Sequence, residues 1–138
     1  MLLAVQLLFR SVKNDGSAIT AQELSLIGSP IPYSVDGLGE EERSANFGTT
    51  VSLDSFKGRG ASDRFFDATN IEIDKFCVFL SGLNQDSFQS FIGLGVKCDI
   101  FVEFKIDENM MDFVLPLRFV AETARLCLPI SILVNPGE

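Results

Sequence analysis

A chain of 138 residues, 46% of them apolar, is long enough to bury a core of its own without a disulfide or a metal. Its formal charge of −8, from 19 acidic against 11 basic residues, repels phosphate backbones and anionic headgroups, which argues against nucleic acid and membrane surfaces as partners. With no histidine, the chain cannot build a Ser-His-Asp or Cys-His nucleophile, an imidazole metal ligand or an imidazole pH switch.

Residues 2–12 read as a buried strand, because the apolar run is short and holds Val5, Phe9 and Val12. The run lacks the basic segment of a signal peptide, and Arg10 cuts it well short of a membrane anchor, so a cytoplasmic location is expected. Asp15-Gly16 favours a tight turn, and Thr20-Ala21-Gln22-Glu23 has capping-box spacing for a short helix over 20–27 that stops at Gly28. Residues 33–47 show no period and read as a long surface loop carrying Asp36, Glu40, Glu41 and Glu42. Thr49–Phe56 alternates as a second strand, and 57–62 reads as a flexible loop.

The second half is more strongly patterned. Behind a capping-box candidate at Thr69–Glu72, Ile73, Phe76, Cys77, Leu80 and Leu83 fall on one helical face. A short helix from Asp86 turns Phe88, Phe91 and Ile92 inward and ends at Gly93 or Gly95. Val96–Ile106 then places six apolar residues at period two, with Lys97, Asp99, Glu103 and Lys105 among the positions between them. Asp107-Glu108-Asn109 reads as a turn into a partner strand, Met110–Leu115. Pro116 opens a helix with Leu117, Val120, Ala121 and Ala124 as its buried face, and Ile130, Ile132 and Val134 mark a last strand.

The expected architecture is one α+β domain over 1–138. It has an antiparallel or mixed sheet, helices on one face, and a ferredoxin-like βαββαβ core with an N-terminal elaboration. Thirteen Phe against one Tyr and no Trp point to ring packing rather than base or sugar stacking. Cys77, Cys98 and Cys127 are widely spaced within apolar segments and read as buried free thiols.

The sequence contains no Cys-x-x-Cys and no EF-hand order of oxygens, so no metal or other cofactor is expected. Asp99 and Glu103 share the polar face of their strand and are candidates for a carboxylate pair, with a solvated charge ladder as the plainer reading. Lys57-Gly58-Arg59-Gly60 with Arg64 is a basic Gly-rich loop, but it matches neither phosphate-binding fingerprint. A non-enzymatic binding protein is therefore expected, with Asp36, Glu40, Glu41, Glu42, Asp107, Glu108 and Asp112 as an acidic surface for a cationic protein. The alternative is a small-molecule sensor with a Phe-lined pocket. The oligomeric state is left open.

The stretch Leu115-Pro116-Leu117-Arg118-Phe119-Val120-Ala121-Glu122-Thr123-Ala124-Arg125-Leu126-Cys127-Leu128-Pro129-Ile130-Ser131-Ile132 resembles the ending of a small bacterial family, domain of unknown function 4279. Ile19–Pro30 is similar to the helix and exit near that family's start. The resemblance implies an α+β domain and supplies no catalytic residue. By size and acidity the chain is also similar, as a class, to bacterial immunity proteins, which implies inhibition of a toxin or nuclease by covering its basic site.

Overall fold

The structure, a computed structural model, describes residues 2–17, 19–24, 35–36, 44–107 and 115–136. Leu2–Lys13 forms β1, whose buried side chains are Leu2, Val5, Leu7, Phe9 and Ser11. A bulge at Leu3 shifts the register between Leu2 and Ala4, so Leu2 reaches the core face despite its odd spacing from Val5. Asp15 accepts from the backbone N–H and the hydroxyl of Ser17 in the turn that follows. The short helix α1, Ala21–Leu24, opens with the expected capping box. Thr20 N–H donates to Glu23 Oε1 at 3.0 Å, and Glu23 N–H donates to Thr20 Oγ1 at 3.1 Å. Lys13 Nζ bonds Glu23 at 2.7 Å and ties this helix to β1.

The 33–47 stretch is not wholly a loop. Val35–Asp36 forms β2 and pairs with β3, Ser44–Ser52, which starts inside the segment that carries no period. Gly48 explains part of the missing signal. A Cβ there would lie 1.9 Å from the Leu7 carbonyl oxygen, so the close approach of β1 and β3 excludes any side chain at this position. A 3-10 turn at Leu53–Ser55 ends the strand earlier than alternation suggested.

Helix α2 runs Ala61–Ser81 and begins well before the expected cap at Thr69. Thr69 is buried inside the helix, its hydroxyl donating to the Phe65 carbonyl at 2.9 Å rather than capping an N-terminus. Helix α3, Gln85–Ile92, is capped by Asn84, whose side chain accepts from Ser87 N–H at 3.1 Å, so the cap lies two residues before Asp86. Gly95, at φ 83°, then turns the chain into β4, Val96–Ile106, with the expected bounds. Helix α4, Leu117–Arg125, is followed by β5, Ile130–Pro136. The expected strand Met110–Leu115 lies outside the described residues except for Leu115.

The sheet order is β2-β3-β1-β4-β5, antiparallel except for the parallel β4–β5 pair at the edge. The fold is thus α+β with a mixed sheet, but its strand order is not ferredoxin-like. That order would pair β4 with the hairpin strand alone, whereas here β1 and β5 occupy both of its edges. The reason lies in the connection. Twenty-odd residues and a helix separate β4 from β5, enough to return the chain for a parallel crossover.

All three long helices lie over the face bearing Phe9, Ile100 and Val102. A run of rings fastens them there: Phe88 of α3 and Phe79 of α2 meet Phe9 at centroid distances of 6.2 and 6.0 Å. Phe76 then links Phe79 to Phe119 of α4 at 5.8 and 6.0 Å. Helix α4 presents Phe119, Thr123 and Leu126 to this core, opposite the face expected. Leu117, Val120, Ala121 and Ala124 are exposed, because the single large ring decides the packing over a stripe of smaller side chains. Among the described residues no helix is long and apolar enough to cross a membrane.

Candidate binding face

Among the described residues the long helices cover one side of the sheet, and the other face carries the polar and charged positions of its strands. Strand alternation assigns its residues: Ala4, Gln6, Leu8, Arg10 and Val12 of β1 sit beside Lys105, Glu103, Phe101, Asp99 and Lys97 of β4. Ser131 and Leu133 extend the rows on β5, and Gly48, Thr50 and Ser52 extend them on β3.

One end of this face is organised around Arg10. Its Nε donates to Asp99 Oδ1 at 2.8 Å and its Nη2 donates to Oδ2, a two-pronged pair across neighbouring strands. Ser131 Oγ donates to Asp99 Oδ2 at 2.8 Å from the other side. The guanidinium lies 4.3 Å from the centre of the Phe101 ring, whose face favours a cation. Donation from Arg10, then from Ser131, holds the Asp99 carboxyl below its ordinary range, and hydrogen bonding to Asp99 raises the Arg10 pKa. A groove of about 740 Å³ opens here, lined by Arg10, Val12, Lys97, Asp99, Pro129 and Ser131 among others.

The opposite end is acidic. A second groove of about 730 Å³ is walled by Asp54, Glu103 and Asp107, with Lys105 as its cation and Gln6, Thr50, Ser52 and Asn135 as neutral polar lining. Three carboxylates against one ammonium suit a guanidinium or ammonium group from outside.

Of the seven acidic residues picked out in the sequence, Asp107 is exposed at the acidic end. Asp36 has only its backbone described; it pairs with Asn46 on the row that leads to Arg10. By strand rise these two rows are about 27 Å apart, so Asp36 and Asp107 do not share one compact patch. Glu40, Glu41, Glu42, Glu108 and Asp112 lie outside the described residues. Asp99 and Glu103 divide between the two grooves, so they do not form a carboxylate pair. Asp54, Arg10 and Ser131 were not singled out; Arg10 and Ser131 show in the sequence as polar residues at outward strand positions, and Asp54 as a polar residue in the turn after β3.

The basic Gly-rich loop is exposed and closes on itself. Arg64 donates to the carbonyl oxygens of Lys57 and Gly60, which closes the turn before α2. Cys77 and Cys98 are buried, and burial pushes the Cys98 thiol up to about 12. Cys127 is exposed, contrary to expectation, because it lies just past the end of α4 with φ 55°. Among the described residues no three His, Cys, Asp or Glu side chains converge to hold a metal ion. No family model, curated protein or solved structure matches the chain.

Proposed function

We propose that this chain is a non-enzymatic binding protein of the immunity or antitoxin type, which blocks a basic site on another protein with the acidic end of its open sheet face. The observation that carries the reading is the groove walled by Asp54, Glu103 and Asp107 in a chain of net charge −8. A groove of this volume accepts Lys or Arg side chains, and the chain's negative field speeds their approach. Glu103 lies in β4, Asp107 directly follows that strand and Asp54 lies in the turn after β3, so the sheet sets the spacing of the three backbone positions.

Paired baits test this. Wild-type protein and the variant Asp54→Lys/Glu103→Lys/Asp107→Lys are used to capture partners, and the retained proteins are compared. The expected result is a basic protein held by the wild type alone, with association slowing at least about tenfold between low and physiological salt. A partner bound equally by both baits and indifferent to salt would refute the charge mechanism.

A second reading is favoured by the Arg10 groove, whose volume suits a small molecule. Among the described residues its walls contain no Phe, so the ligand pocket would be a polar one on the open face rather than the Phe-lined cavity expected between sheet and helices. Thermal shifts with a panel of small carboxylates test it, with Arg10→Met as the control that must abolish any shift.

A further inference from the structure

Among the described residues strand β5 is one edge of the sheet, and its middle lacks the devices that usually keep an edge from pairing. No Lys, no bulge and no Pro falls between Ile130 and Val134. Three consecutive apolar side chains are open to solvent instead: Ile132 is 56% exposed, Leu133 45% and Val134 53%. Leu128 to Gly137 contains no ionisable side chain, although the chain as a whole carries −8. Two copies of so acidic a protein repel each other over most orientations, and this neutral edge is where they can meet without opposing like charges.

The backbone specifies how. Ile100 N–H donates to the Pro129 carbonyl at 2.9 Å, and Ile100 is the partner of Ile130 in the parallel register. In a parallel ladder that geometry turns the N–H and C=O groups of 129, 131 and 133 toward β4. The groups of Ile130, Ile132 and Val134 therefore point outward. Pro136, at the next outward position, has no N–H and ends the row.

We infer that the chain forms a two-fold dimer by antiparallel pairing of β5 with β5 of a second copy, centred on Ile132. In this register Ile132 faces Ile132 and Ile130 faces Val134, each pair exchanging two hydrogen bonds. All three outward residues are then used and none is left over. The pairing is isologous, so it closes at two copies and joins both sheets into one. Leu133 meets Ser131 of the other copy on the open face, while Ile132 and Val134 pack on the helical side. Both grooves reach β5, one at Pro129 and Ser131 and the other at Asn135 and Pro136, so the second copy borders each of them while their β1 and β4 walls stay on inner strands.

Sedimentation equilibrium across a concentration series tests the dimer. The expected mass is twice 15.1 kDa for the wild type. The variant Val134→Pro removes only an outward N–H, which an edge strand tolerates, and is expected to sediment as a monomer with a cooperative thermal transition. Leu133→Lys, with its backbone intact, is expected to weaken association at least about thirtyfold. Hydrogen exchange on the wild-type protein needs no variant: the amides of Ile132 and Val134 should be protected, and more so at higher concentration. A monomeric wild type, an open-ended series of larger species, or fast exchange at both amides would overturn the inference.

Discussion

Arg125 of α4 reaches across the helix pair and donates from Nη2 to the carbonyl oxygen of Leu80 at 2.9 Å, the last turn of α2. The same nitrogen donates to the Leu83 carbonyl at 3.2 Å, and Nε bonds Glu122 at 3.0 Å. The C-terminal end of a helix carries partial negative charge and unpaired carbonyls, so a cation there both satisfies oxygens and opposes the dipole. Arg125→Ala is expected to cost about 1.5 kcal/mol in urea unfolding, the scale of hydrogen bonds to a charged group in a half-exposed site. Arg125→Lys should recover less than half of this, since an ammonium cannot span both carbonyls and Glu122. A loss below about 0.5 kcal/mol for the alanine variant would show that solvent replaces the guanidinium freely.

Cys127 occupies the left-handed position just after α4, with its N–H donating to the Ala124 carbonyl and Leu128 N–H to the Thr123 carbonyl. That pattern of bonds normally places glycine at this residue, and any Cβ there is strained. Cys127→Gly is expected to raise stability by about 1 kcal/mol in urea unfolding. The wild-type protein should also react rapidly with a thiol reagent at one cysteine of its three, because Cys77 and Cys98 are buried and Cys127 is not. Destabilisation by glycine, or three equally fast thiols, would contradict the geometry.

Asp99 makes folding sensitive to acid. Its folded carboxyl is held below the ordinary value of 3.8, first by the Arg10 hydrogen bonds and then by Ser131. As pH falls, the unfolded chain takes up this proton before the folded one does. The stabilisation is therefore complete above the ordinary carboxylate range and is lost as pH drops through it toward the depressed folded value. The difference in urea midpoint between about pH 7 and about pH 3 should shrink in Asp99→Asn, while the variant loses about 1 kcal/mol at neutral pH. An unchanged acid slope would mean that Arg10 keeps no hold on Asp99 in solution.

What the sequence disclosed follows from how each element is buried. Strand β4 has one face in the core and one in solvent, so its alternation gave both ends to the residue. Strand β1 carries Leu3 and Leu8 on the open face as well as its core residues, which masked its period and hid Arg10 as a face residue rather than a break. The site network was less legible still. Asp99 takes its partners from positions 89 and 32 residues away, and those positions meet only through the β1–β4 and β4–β5 registers. The start of α2 was hidden because its first turns alternate charge with exposed Phe66, leaving Phe65 as the one buried residue there.

Helix α4 offers the sharpest contrast between sequence pattern and packing. Leu117, Val120, Ala121 and Ala124 form the more apolar stripe, yet Leu117 is 84% exposed while Phe119, on the opposite side, is fully buried against Phe76. The Phe119 ring meets Phe76 of α2, with Leu126 buried on the same side, and this rotation also leaves Arg125 positioned to reach the end of α2. Phe119→Ala should therefore cost about 3–5 kcal/mol, through lost transfer energy and the cavity left between α2 and α4. Leu117→Ser should change stability by less than about 0.5 kcal/mol, as expected for a solvent-facing position. Urea unfolding of the two variants side by side checks the helix orientation directly. Equal losses, or a larger loss at Leu117, would mean that the helix is rotated about its axis and that the stripe of smaller residues faces the core after all.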